Sequence, residues 1–138
     1  MENAIIRINE ENPAYTSMTV TTKEERKAFY NAVENPDHKL SEFINKKITF
    51  SNVSMEMSQV QARDDAGNPI PNTFNPTVKT VLVTPDGKGI ISTSMGVARA
   101  LYSMFQIFGT PDTWDEPMTV VVKQIEIGKN RTFKLEVV

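Results

Sequence analysis

The chain has 138 residues, of which 39% are hydrophobic and 23% are charged, a composition typical of one soluble globular domain with a buried core. It contains no cysteine, which excludes disulfides and thiolate metal ligands and fits a reducing compartment such as the cytoplasm. The net charge is −2, with five basic and eight acidic residues in 1–45 against ten and nine in 46–138. Neither a membrane-spanning run nor a secretory signal is recognisable.

The first third of the sequence predicts a short helix with a capping box. Thr22 and Glu25 have the required spacing, and Ala28, Phe29, Ala32 and Val33 fall on one helical face. Asn35-Pro36 ends this helix, and a second short helix is predicted over 39–45. We interpret 1–45 as an N-terminal extension of one or two short helices that packs on the following domain. The alternative is a partner-binding or self-association arm.

The segment 46–60 predicts one long strand with a change of register. Ile48 and Phe50 share one alternating phase, whereas Val53, Met55 and Met57 share the other, so a β-bulge is expected near Ser51-Asn52. The next segment, 61–77, contains Gly67 and three prolines and predicts a loop. Its Asp64-Asp65 pair is interpreted as a polar turn rather than a metal site, since no third ligand lies nearby in the sequence.

The following segments predict a β-hairpin and an amphipathic helix. Strands over 78–83 and 88–94 flank Pro85-Asp86-Gly87, a strong turn signal. After Ser94, apolar residues recur with helical spacing up to Gly109, and we expect their aromatic members to lie in the core. The members of this stripe are Val97, Leu101, Met104, Phe105 and Phe108.

The C-terminal segment predicts a second β-hairpin. Its strands cover 118–127 and 131–138 and are joined by Gly128-Lys129-Asn130. Phe133, Leu135 and Val137 should point inward and leave Lys134 and Glu136 outside.

The element order in 46–138 is therefore β-β-β-α-β-β. This is the order of the five-stranded OB-fold barrel, with one helix between strands 3 and 4, whose common ligands are oligonucleotides and oligosaccharides. The fold class predicted is mostly β: an OB-fold core over 46–138 with the helical extension over 1–45.

The OB fold binds ligands across strands 2 and 3, between the loops joining strands 1–2 and 4–5. Single-strand binders need cations for phosphates and exposed aromatic rings for bases. Trp114, between acidic residues, is expected to be a lid on the barrel, and His38 a surface residue. The predicted DNA-binding residues are Arg63, Phe74, Lys79, Lys88, Lys123, Lys129 and Arg131.

Short motifs along most of the chain resemble single-stranded DNA-binding proteins encoded by tailed phages of Gram-positive bacteria. The specificity of this resemblance comes from the combination and order of the motifs. They are Ser17-Met18-Thr19-Val20, Thr22-Lys23-Glu24-Glu25, Tyr30-Asn31-Ala32, Asn35-Pro36-Asp37, Lys39-Leu40-Ser41, Ile107-Phe108-Gly109-Thr110-Pro111 with Trp114, and Gly128-Lys129-Asn130-Arg131-Thr132-Phe133. The resemblance implies sequence-tolerant binding of single-stranded DNA in phage replication or recombination.

The leading hypothesis is a non-enzymatic protein that binds and protects single-stranded DNA, with no cofactor and no metal. Replication or recombination proteins and a second copy of the chain are further candidate partners. The alternative is an OB-fold module that binds a replication or host protein. A small hydrolase or nuclease is disfavoured because acids, bases and metal ligands do not cluster in the sequence. The chain ends on a strand, so recruitment of partners by an acidic tail is not expected.

Overall fold

The structure is a computed structural model that describes residues 7–128 and 130–138. The described chain is mostly β, with two α-helices. In order, the elements are β1 Ala14–Thr16, α1 Lys23–Glu34, β2 His38–Lys39, β3 Lys47–Phe50, β4 Asn52–Arg63, β5 Pro69–Val83, β6 Gly89–Ser92, α2 Met95–Phe108, β7 Met118–Ile127 and β8 Asn130–Val137.

The strands form a five-stranded sheet, in the order β1-β4-β5-β6-β2, and a three-stranded sheet, in the order β3-β7-β8. Strands β3 and β4 are consecutive, so one bent segment supplies a strand to each sheet. The predicted register change is confirmed, because Ile48 and Phe50 are buried before Ser51, and Val53 and Met55 are buried after it. The bend lets both halves of this segment face one core.

Within 46–138 the predicted order of strands and helix is confirmed, but the two sheets do not close into a barrel, and strands β1 and β2 of the N-terminal segment were not predicted. In the part of the chain described, no strand pairing joins β6 to β8. The first turn of α2 lies beside β8 instead, so closely that a Cβ on Gly96 would come within 2.9 Å of the Phe133 carbonyl oxygen. The two sheets therefore meet at a seam that is filled by the helix.

The core lies between the sheets and is covered by α2. Four members of the predicted helical stripe are buried, but Phe108 is 46% exposed because the helix ends at Gly109, beyond the edge of the core. Among the β8 side chains that the structure describes, only Leu135 is buried, whereas Val137, at the end of the strand, is exposed. Trp114 packs on Phe50 with ring centroids 5.7 Å apart, as expected of a lid.

The N-terminal segment is joined to the five-stranded sheet. The capping box is confirmed: the Glu25 N–H donates to Thr22 Oγ1 at 3.1 Å, and the Thr22 N–H donates to Glu25 Oε1 at 2.9 Å. Helix α1 packs on the sheet face opposite the core, through Ala32 against Val81 and Val83. The second predicted helix is only a 3₁₀ turn over Leu40–Phe43, because His38 and Lys39 pair with β6 as strand β2.

The prediction of a loop over 61–77 is wrong. Strands β4 and β5 continue past the core as a two-stranded ribbon, here called the hairpin arm, which comprises residues 57–77. The polar turn at its tip is confirmed, since the Asp64 carboxylate accepts hydrogen bonds from the Ala66 and Asn68 N–H groups at 3.0 and 2.9 Å. Among the described residues, this half of β5 pairs only with β4, and an edge position tolerates prolines that lack an N–H.

Candidate functional site

The predicted site residues lie in three separate places. Arg63 and Phe74 lie on the hairpin arm, where Phe74 is 54% exposed and Arg63 Nη1 donates to the Gly67 carbonyl at 2.9 Å. Lys88 is exposed in the turn between β5 and β6. Lys123 and Arg131 lie on the β7–β8 hairpin. Lys129 lies outside the described residues.

Lys79 lies on the sheet face that α1 covers. Its side chain is only 16% exposed, and its Nζ is 3.3 Å from a Glu56 carboxylate oxygen and 4.0 Å from one of Glu34. Glu56 is its direct cross-strand neighbour, which explains the close ion pair. Two carboxylates therefore already neutralise the charge of Lys79. Because α1 covers this face, Lys79 is also screened from any ligand that would extend along the outside of the sheet.

A groove of about 640 Å³ follows the seam between α2 and β8. We call it the seam groove. Its described lining contains three cations and no carboxylate. Among the lining residues are Ser94, Arg99, Arg131, Thr132, Phe133 and Lys134.

Local structure holds the two walls of the seam groove together. The hydroxyl oxygens of Ser94 and Thr132 are 3.2 Å apart and hydrogen-bonded, which ties the start of α2 to β8. Arg99 follows one turn later on the exposed side of the helix. Phe133 is half-buried, with one side packed against the core, and lines the groove. The groove thus combines fixed positive charge with an aromatic surface.

Lys123 and Lys134 add a pair of like charges beside this groove. They are directly opposite each other across β7 and β8. Such a pair is unfavourable for the isolated fold, by about 0.2–1 kcal/mol. Within the described chain, neither lysine has an ion pair, so their positive potential is available to an anion.

The third groove cation, Arg131, has an acidic neighbour. Its Nε is 3.5 Å from a Glu126 carboxylate oxygen, and the two side chains are 70% and 69% exposed. An ion pair this exposed contributes little to stability and is readily exchanged for another anion. Arg131 therefore remains a candidate for binding a phosphate group.

Past Ser94 and Phe133 the seam groove continues into a second hollow of about 560 Å³ beneath the hairpin arm. Its walls are mainly apolar, and Lys39 is the cation among its described lining residues. Val60 of the arm, Leu40 and Ile91 provide the apolar surface, and Ser92 and Thr93 provide polar groups. The seam groove and this hollow therefore offer a charged and an apolar surface next to each other, which suits an elongated ligand with charged and apolar parts.

Sequence reasoning missed Arg99 and Lys134 as site residues. Arg99 is the single basic residue within α2, which was a usable signal once its apolar stripe had been assigned to the core. Lys134 lies on the outer side of β8, as predicted, and the register of the hairpin pairs it with Lys123. Only the packing of α2 against β8 brings these residues to one groove.

The described residues hold no group of three or more His, Asp or Glu side chains that could bind a metal ion. His38 lies near the surface, 3.7 Å from Glu42. Burial raises the pKa of Tyr15 to about 12, and the nearby Asp112 carboxylate adds to this effect. Tyr15 therefore stays protonated near neutral pH and is a poor candidate for acid–base catalysis. In the described chain, no helix has the length and apolar character needed to cross a membrane.

Comparisons with known proteins found no match to this chain among protein-family models, curated protein sequences or solved structures.

Proposed function

We propose that this chain is a non-enzymatic protein that binds single-stranded DNA with little sequence preference, along the seam groove. The observation that carries the proposal is the groove lining, where Arg99, Arg131 and Lys134 line one groove together with the half-buried Phe133, with no carboxylate among the described lining residues. Cations that follow the backbone and aromatic rings that stack on bases are the two requirements of this function.

The architecture supports an open variant of the OB fold. The segment 47–137 has the β-β-β-α-β-β order, and the bent β3–β4 segment pairs with β5 on one side and β7 on the other. In an OB fold the first strand belongs to both sheets in this way. The helix at the seam then occupies the place where strands 3 and 5 would otherwise meet.

Apolar surface beside the cations favours a single strand over a duplex. The hollow under the arm and Phe133 offer contacts to base faces, which are hidden inside a stacked duplex. By binding only the unpaired state, the protein would shift the equilibrium towards exposed strands and protect them. A role in phage DNA replication or recombination, in the cytoplasm of a bacterial host, follows from the motif resemblance.

Fluorescence anisotropy with labelled oligo-dT, a matched duplex and single-stranded RNA tests the proposal. We expect oligo-dT to bind more tightly than the duplex, and Arg99→Gln/Lys134→Gln to weaken binding about tenfold or more. The matched control is Lys23→Gln/Lys27→Gln, which removes two exposed charges from α1 and should change affinity little. No binding to oligo-dT at low salt, or equal loss in both variants, would refute the proposal.

The alternative function, a protein-interaction module, is favoured by one observation. Ile107 and Phe108, at the end of α2, are 72% and 46% exposed. Exposed apolar side chains of this size on adjacent positions are typical of a contact with another protein.

A further inference from the structure

The C-terminal end of α2 forms an apolar projection with acidic neighbours. Ile107 and Phe108 are exposed there, and the Trp114 indole N–H donates to the Gly109 carbonyl at 2.9 Å. This bond holds the following segment beside the helix end and brings the exposed Asp115 and Glu116 to the same end of the molecule. Residues 100–122 contain no lysine or arginine. We call Ile107, Phe108, Asp115 and Glu116 the acidic knob.

The N-terminal half of α2 lies beside positive rather than negative charge. A hollow of about 550 Å³ lies between residues 7–9 and the first half of the helix, and we call it the arginine hollow. The Arg7 guanidinium lies 4.6 Å from the Tyr102 ring centroid, and the Ile8 N–H donates to the Tyr102 hydroxyl at 3.1 Å. Arg99 and Met95 complete the wall, and no carboxylate occurs among the described lining residues.

Within one molecule, α2 holds the acidic knob away from the Arg99 end of the arginine hollow. Arg99 and Ile107 are eight residues apart on one α-helix, which separates them by about 12 Å along a rigid axis. A second molecule displaced along this axis, however, would bring its knob to the hollow of the first. Apolar side chains would then enter a partly apolar hollow, and the two carboxylates would approach the Arg7 guanidinium.

We propose that the acidic knob of one copy binds the arginine hollow of the next copy, head to tail. The occupant is a second copy because one chain carries both halves of the interface, with complementary charge. Such a heterologous contact uses different surfaces on the two partners and extends into an open array. Because the knob consists of only four side chains, it would bury less area than a stable dimer needs, and the contact would be weak between free molecules.

Arg99 lies on the wall that is common to the arginine hollow and the seam groove. A head-to-tail array would therefore align successive seam grooves. This consequence, cooperative binding along a strand, rests on the proposed function, whereas the contact itself does not need DNA.

Because the native chain has no cysteine, directed crosslinking tests the contact without DNA. Ile107→Cys and Asn9→Cys proteins are mixed and treated with a short bismaleimide. We expect a mixed dimer in several-fold higher yield than with Glu24→Cys, a control on α1 replacing Asn9→Cys. A yield equal to the control overturns the proposal, whatever the protein does with nucleic acid.

Charge reversal gives a second readout. Arg7→Glu and the double change Asp115→Lys/Glu116→Lys should each abolish crosslinking to a partner of native charge, whereas mixing the two reversed proteins should restore it. Loss without restoration would show that charge complementarity does not carry the contact and would overturn the assignment.

Oligo-dT of two lengths separates this inference from the proposed function. Ile107→Ser/Phe108→Ser should leave affinity for an oligonucleotide that holds one molecule unchanged. On a long strand it should lower affinity about tenfold, equivalent to about 1.4 kcal/mol. Full affinity of this variant on the long strand overturns the cooperative consequence of the contact, while loss on the short one would instead implicate the binding groove.

Discussion

Removing the two opposed lysines should halve the salt dependence of DNA binding. If Arg99, Lys123, Arg131 and Lys134 each contact one phosphate, the slope of log affinity against log salt is about −2.8 for a single strand. Raising the salt fourfold, from about 50 to about 200 mM, then lowers the affinity about 50-fold. For Lys123→Gln/Lys134→Gln the slope becomes about −1.4, and the same change in salt lowers affinity only about sevenfold.

Anisotropy titrations of labelled oligo-dT across this salt range measure both slopes. Lys23→Gln/Lys27→Gln, with the same change in net charge but on α1, should keep the native slope. Relief of the like-charge pair should raise the free energy of unfolding of the Lys123→Gln/Lys134→Gln variant, by about 0.2–1 kcal/mol, so weaker binding could not be ascribed to unfolding. An unchanged slope in this variant, or an equal decrease in the α1 control, would refute the placement of the groove.

Three further predictions concern the groove edge and the extension. Glu126→Gln should tighten oligo-dT binding about two- to threefold at low salt, because a carboxylate leaves the rim of a positive groove. Gly89→Ala should lower the free energy of unfolding by about 1–3 kcal/mol in urea titrations, since its Cβ would lie 2.1 Å from the Ala32 carbonyl oxygen. Hydrogen bonds, above all that from the Thr19 hydroxyl, lower the pKa of Glu25 below 4.5. Glu25→Gln should therefore reduce the free energy of unfolding above that pH. The difference in stability between the native protein and this variant should vanish as the pH falls through the folded-state pKa.

Glu24→Gln is a matched control for two of these variants, since it removes one exposed carboxylate from the first turn of α1. If it tightened DNA binding as much as Glu126→Gln, only net charge would matter. If its stability followed the same pH dependence as that of Glu25→Gln, the capping contacts would not be the cause. An unchanged urea midpoint for Gly89→Ala would mean that α1 does not pack closely on β6.

The sequence was most informative where local signals agreed with burial. The capping box at Thr22, the turn with Gly87 at φ +87° and the end of α2 at Gly109 were all predictable, because each depends on a few adjacent residues. The register change at Ser51 was also predictable, since two buried phases of one strand cannot face the same core without a bulge.

The hairpin arm was not predictable from local signals. Glycine, amides and three prolines in 61–77 are typical of a loop, yet pairing with β4 makes this segment part of a strand. Proline is compatible with a strand only where its side of the strand is unpaired, and whether a strand lies at an edge depends on the arrangement of all its neighbours.

The candidate site likewise combines residues that the sequence predicts with residues that only the tertiary structure identifies. The charge of the last hairpin predicts Lys123 and Arg131 as site residues, whereas Arg99 lies in a helix whose apolar pattern predicts only a role in the core. The tertiary structure also placed Lys79 between Glu34 and Glu56, on the side that α1 covers. Charge is visible in a sequence, but the distance between charges of different elements is not.

The sequence by itself determined the order of the strands and helix in 46–138, the turn at Gly87, the capping box and the bend in the first core strand. These follow from hydrophobic period and from backbone preferences of a few residues, which act over one or two turns of chain. Only the tertiary structure decided that the sheets remain open, that α2 fills their seam and that cations from α2 and β8 line one groove. Those features depend on which buried surfaces meet, and the packing of distant segments has no local signature.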